Sequence, residues 1–117
     1  MEAALLVGTG AAFGAVLRYA VGEVLASERL PLATFVANLA GSVLLGLVVA
    51  AGVGTDGALL VGTGFCGALT TYSSFAVETV SLWEQGDHLR AAGYALGTLL
   101  ACLTAAVLAG ALIALAP

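Results

Sequence analysis

The chain has 117 residues, of which 62% are hydrophobic and only 9% are charged. A soluble domain carries about 25% charged residues, and so small a protein exposes too much surface to cover with so few charges. The composition therefore excludes a soluble globular domain, and three Lys and Arg residues against seven Asp and Glu offer no basic surface to nucleic acid.

The charges leave four long gaps, each meeting the roughly 20 apolar residues that a helix needs to cross a hydrocarbon core about 30 Å thick. The first predicted span, residues 3–22, holds one charge, Arg18. It begins Met1-Glu2, has no basic leading segment and is interrupted by Arg18, which argues against a secretory signal peptide. Gly10 and Gly14 stand in the small-xxx-small spacing that lets helix backbones approach.

A polar connector with Glu23, Ser27, Glu28, Arg29 and Pro31 leads to the second span, residues 32–53, which holds no charge. Thr34, Asn38 and Ser42 are each four apart and form one stripe along a helix. Hydroxyls alone at membrane depth fit interhelical hydrogen bonding. An Asn among them, with two donors and a carbonyl, points instead to a lined pathway.

Gly54, Asp56 and Gly57 precede the third span, residues 58–82, and Trp83 closes it with an amphipathic ring suited to the headgroup level. Gly62-Thr63-Gly64-Phe65-Cys66-Gly67 fits a dinucleotide-binding pattern. That pattern needs a strand before it, whereas this match lies inside an apolar span and reads as close helix packing. The six residues from Leu5 to Gly10 recur identically from Leu59 to Gly64. A duplication of a helix pair explains this, and so does chance in a chain rich in Gly, Leu and Val. Thr70-Thr71-Tyr72-Ser73-Ser74 sets hydroxyls side by side near mid-span, where an unbroken helix would point some of them at lipid. Glycines crowd the residues just before and lower the cost of leaving helical geometry. The expectation is a helix broken near mid-membrane, with freed carbonyls near the break and a new helix N-terminus after it. The alternative is a continuous helix whose hydroxyls bond back to the preceding turn.

The last connector holds Glu84, Gln85, Gly86, Asp87, His88 and Arg90, with His88 read as part of a solvated loop. The fourth span, residues 91–116, carries Tyr94, Thr98 and Cys102 at four-residue spacing, Thr104 nearby, and a second small-xxx-small pair, Gly93 and Gly97. Cys66 and Cys102 are isolated thiols and read as small packing residues. No nucleophile–base pairing, phosphate loop or ligand cluster is visible, so the chain is not read as an enzyme. Four spans put both termini on one side. Arg18, Arg29 and Arg90 lie toward the other side, which the positive-inside rule would place in the cytoplasm on a bias of two or three residues. A small proton-coupled multidrug exporter would need a buried carboxylate in its first helix, where this chain has Arg18. A scaffold held by glycine faces would have no use for a polar stripe beside a broken helix.

Three motifs carry a family resemblance over the whole chain. They are Gly14-Ala15-Val16-Leu17-Arg18-Tyr19, then Phe35-Val36-Ala37-Asn38-Leu39-Ala40-Gly41-Ser42, and the run from Gly64 through Thr70-Thr71-Tyr72-Ser73-Ser74-Phe75 to Glu78. With four spans in this order, the chain resembles the CrcB/Fluc family of small fluoride channels. The resemblance implies an all-α membrane protein of four transmembrane helices, the third broken, forming an antiparallel dual-topology dimer in the cell membrane. Its partner would be a second copy or a homologous subunit, and two pores at the interface would export fluoride passively and so relieve its toxicity. It implies a structural, untransported sodium ion held by the backbone carbonyls of Gly67 and Thr70. Asn38 and Phe75 match pore residues that touch fluoride, and Arg18 matches a basic residue at the vestibule. Glu78 matches a carboxylate following the aromatic pair Tyr72 and Phe75, and Tyr94, Thr98 and Thr104 match a polar track on the last helix. Two positions depart from the pattern: Tyr72 stands where the family usually has Phe, and Cys102 where the track usually has a hydroxyl.

The residues themselves agree with that chemistry. Fluoride is small and holds its water tightly, so a pore must replace the hydration shell with short-range donors. The Asn38 amide, the Ser42 and Ser74 hydroxyls, the threonines and the Arg18 guanidinium can serve. Aromatic rings have electropositive edges, so Phe75 and Tyr72 can meet an anion edge-on.

Overall fold

A computed structural model describes residues 2–26 and 31–117, and every regular element among them is helical. Helix α1 (Ala3–Val24) is followed by α2 (Leu32–Ala51). The connector residues Ser27, Glu28 and Arg29 lie outside the described residues, and with them the part of the charge-bias argument that uses Arg29. A helical rod comes next: a single α turn, α3 (Gly54–Gly57), a π-helical stretch (Ala58–Cys66) and the short α4 (Gly67–Leu69). Helix α5 (Tyr72–Glu84) and the long α6 (His88–Leu115) complete the chain.

Helices α1, α2 and α6 are long and apolar enough to cross a membrane. Large apolar side chains such as Phe13, Val16, Leu103 and Leu112 point outward, with Leu112 72% exposed. That is the pattern of a protein whose solvent is lipid, since in lipid only the backbone polar groups must be hidden and a helix hides them internally. The chain is a multi-pass membrane protein. Between α2 and α6 the chain is helical in two pieces, the rod and α5, separated by Thr70 and Thr71.

Where burial of apolar surface gives little drive, close backbone approach supplies the packing. Helix α1 lies along the π-helical stretch because Gly10 and Gly14 present no side chain there. A Cβ added at Gly10 would collide with the Leu60 carbonyl, and one at Gly14 with the Phe65 carbonyl. Helix α2 lies along α6 in the same manner, with Gly46 against the backbone of Ala106. Gly93 and Gly97 have open space beside them, so the second small-xxx-small pair packs against nothing among the described residues.

The turns have local causes. Helix α2 stops at Gly52, whose φ of 63° is a left-handed conformation that glycine adopts without strain. Asp87 caps α6 by accepting from the Arg90 N–H at 3.3 Å and pairs with the Arg90 guanidinium at 3.3 Å. Across this turn the rings of Trp83, in α5, and His88, the first residue of α6, stack with centroids 3.9 Å apart. This tight connection returns α6 alongside α5 and brings the polar residues of the two helices together.

Candidate functional site

Helical geometry lapses between α4 and α5. Thr70 has φ −82° and ψ 157°, and Thr71 has φ −147° and ψ 117°, so both are extended. Asn38 on α2 meets them. Its Nδ2 donates to the Thr71 carbonyl at 3.1 Å, and the Thr71 N–H donates to its Oδ1 at 2.7 Å. The Thr71 hydroxyl then accepts from the Ser74 N–H at 3.1 Å and caps α5. The Thr70 N–H and hydroxyl both donate to the Cys66 carbonyl, at 3.0 and 2.9 Å.

These bonds have a consequence for two carbonyls. In an unbroken α-helix the Thr71 N–H would close on the Gly67 carbonyl and the Ser74 N–H on that of Thr70. Both donors are engaged elsewhere, with Asn38 and with the Thr71 hydroxyl. The Gly67 and Thr70 carbonyls therefore lose their helical partners. Gly67 is exposed, with open space where a side chain would stand.

A groove of about 710 Å³ runs past this point. Asn38, Ser42, Gly67, Thr70, Tyr72, Phe75 and Thr98 all line it, and none of its lining residues is charged. The Phe75 ring sits between two tyrosines, with centroids 6.1 Å from Tyr72 and 5.3 Å from Tyr94, tilted by 44° and 41°. Tilted rings of this kind leave hydrogen-bearing edges free to face a neighbour. The Thr98 hydroxyl on α6 is buried and has no hydrogen-bond partner among the described residues. Such a group costs free energy to hold, so its retention calls for a reason.

Other residues singled out in the sequence lie beside the groove and not in its wall. Arg18 on α1 donates to the Thr34 hydroxyl at 3.3 Å. Tyr94 stands behind Phe75 and donates to Glu78 Oε1 at 3.2 Å, joining α6 to α5. Ser74 serves through its backbone N–H in the cap of α5. Thr104 is exposed on α6, apart from the groove. The stripe of the second span divides: Thr34 is buried against Arg18, whereas Asn38 and Ser42 face the groove.

Sequence reasoning missed three features. Gly41, Gly62 and Thr63 form part of the groove wall together with Leu96 and Leu99, so Gly62, read as a packing residue, also shapes a cavity. Cys66 and Cys102 are free thiols that line it too. The Glu78–Tyr94 bond links two residues that the sequence singled out separately, with nothing to show that they meet.

A family model described as "CrcB-like protein, Camphor Resistance (CrcB)" matches residues 5–111. The chain belongs to the CrcB family. That match takes in every groove residue named above. A relative from Natronomonas pharaonis named "Fluoride-specific ion channel FluC 2" is 53% identical over 109 residues, covering 93% of this chain and 92% of that protein. One from Haloarcula marismortui with the same name is 50% identical, covering 88% and 87%. A third, "Fluoride-specific ion channel FluC 1" from Halobacterium salinarum, is 43% identical, covering 95% and 93%. The CrcB relatives thus match this chain nearly end to end and are named as channels.

Proposed function

We propose that the chain is a fluoride-specific channel subunit that lets fluoride leave the cell passively and so keeps its internal concentration low. The carrying observation is the groove. It gathers an amide, hydroxyls and ring edges in an apolar setting with no charged side chain in its wall. Neutral donors at fixed positions can replace the water around a small anion without trapping it. The second N–H of Asn38, beyond the one given to Thr71, and the Thr98 hydroxyl, which has no partner among the described residues, are the donors. Ser42 lines the groove with its one proton given to the Asn38 carbonyl at 2.8 Å, which settles its rotamer. Phe75 and Tyr72 supply edges. Arg18 and Glu78, held by Thr34 and Tyr94, lie beside the groove, and the family resemblance adds Tyr94 and Thr104 to Thr98 as a polar track on α6. The names of the CrcB relatives give fluoride as the ion.

One protomer provides one wall. A dehydrated path needs a second, and a second copy inverted about a two-fold axis in the membrane plane supplies it, placing the interruption at Thr70 and Thr71 near mid-membrane. The family also implies a structural sodium ion at such an axis. The residues fit it: the Gly67 and Thr70 carbonyls have lost their helical donors, and carbonyl oxygens are hard ligands suited to such a cation. When bound, the ion supplies positive charge beside the anion paths.

The biological reading is tested by growth. Cells lacking their own fluoride export should recover growth on fluoride medium when they express this chain, and the Phe75→Ile variant at equal membrane level should not restore it. Equal rescue by both would sink the assignment of the groove, and no rescue by a well-expressed wild type would sink the function.

A further inference from the structure

Asn38 has a second task that its place in the groove does not require. The Thr70 C=O and the Thr71 N–H belong to one planar trans peptide unit, in which the two groups point in opposite directions. Asn38 Oδ1 grips that N–H at 2.7 Å, so the Thr70 carbonyl is aimed away from α2. Asn38 Nδ2 holds the next carbonyl, that of Thr71, at 3.1 Å, so the following peptide plane is fixed as well. Gly41, nearly one turn further along α2, receives the methyl of Thr70, and a Cβ added there would strike it. The Ser42 hydroxyl, bonded to the Asn38 carbonyl at 2.8 Å, ties down the same turn.

We propose that α2 is the template of the interruption: Asn38 is a positioning residue that aims the Thr70 carbonyl, and Gly41 sets how deeply residue 70 seats. The inference rests on the sodium reading above and assigns the geometry of that ligand to residues that never touch the ion. It explains why the lapse falls on two threonines and not on the flexible Gly62 or Gly64. The backbone leaves the helix where α2 offers an amide to receive it.

The test follows thermal unfolding of the purified wild-type dimer in detergent against sodium concentration, with a bulky organic cation as replacement, together with fluoride efflux from liposomes. Asn38→Leu keeps the volume and removes both bonds. Gly41→Ala pushes on the Thr70 methyl, and Gly41→Ala with Thr70→Ser removes that methyl while keeping its carbonyl. Each of the first two should raise the sodium concentration for half-maximal stabilisation by about tenfold, the order of one backbone hydrogen bond lost. The double variant should return to within about threefold of wild type. A wild-type sodium response in Asn38→Leu overturns the proposal, and so does failure of Thr70→Ser to rescue Gly41→Ala. If Asn38→Leu does not fold, the Gly41 pair decides alone. A wild type that passes fluoride but is indifferent to sodium refutes this inference and leaves the channel reading intact. One that responds to sodium as described but passes no fluoride refutes the channel reading and leaves the inference standing.

Discussion

Thr98→Val is expected to make the protein more stable and the channel worse. The side chains are nearly the same shape, so the exchange removes a hydroxyl and little else. Thr98 is only 6% exposed and its Oγ has no partner among the described residues. A buried polar group left unpaired costs about 1–3 kcal/mol, so replacing it by a methyl should raise the unfolding free energy by about 1 kcal/mol. The same hydroxyl is a donor to a dehydrated anion, and hydrogen bonds to charged groups contribute about 1.5–3 kcal/mol. Its loss should therefore lower fluoride flux by roughly 10- to 100-fold. Reversible unfolding in detergent micelles reads the first quantity and efflux through a fluoride electrode reads the second. Unchanged flux, or a loss of stability of about 1 kcal/mol or more, would show that Thr98 is an ordinary packing residue.

Phe75→Ile should nearly abolish flux while leaving the protein folded: it deletes two tilted ring contacts worth about 0.5–1.5 kcal/mol each and the only ring between Tyr72 and Tyr94. Size-exclusion chromatography beside the efflux assay separates the two effects. Gly14→Leu should prevent folding, because its side chain would meet the Phe65 carbonyl and Ala68 and force α1 off the rod, whereas Gly8→Leu, with open space beside it, should express normally. Assembly with sodium replaced by a bulky organic cation should reduce both dimer yield and fluoride flux, and undiminished flux would remove the ion from the account.

The spans were readable because charge is costly in lipid, and gaps between charges therefore mark helices. Their ends were less so: α1 continues through Glu23 to Val24, since a carboxylate in a final turn reaches water, and α2 ends at Ala51 because Gly52 turns left-handed. The stripe of Asn38 and Ser42 and the hydroxyl run from Thr70 marked two walls of the groove through spacing alone. Spacing reports faces of one helix, however, and not partners on another. The grip of Asn38 on Thr71 joins residues 33 apart, and the Tyr94–Glu78 bond joins two helices that meet only after a turn. The same limit explains Thr104: its hydroxyl matched a track by position, yet its place on α6 leaves it exposed in the protomer. The glycines before the hydroxyl run were read as lowering the cost of leaving helical geometry, and the extended residues, Thr70 and Thr71, open that run.

The account stands most directly on one measurement: ion release from liposomes that hold the purified protein and are loaded with both fluoride and chloride, with the membrane voltage clamped near zero. Fluoride should empty rapidly and without a proton gradient while chloride stays inside. Release of chloride at a similar rate, or retention of fluoride by vesicles that demonstrably contain folded protein, would contradict a donor-lined groove built for the smaller anion.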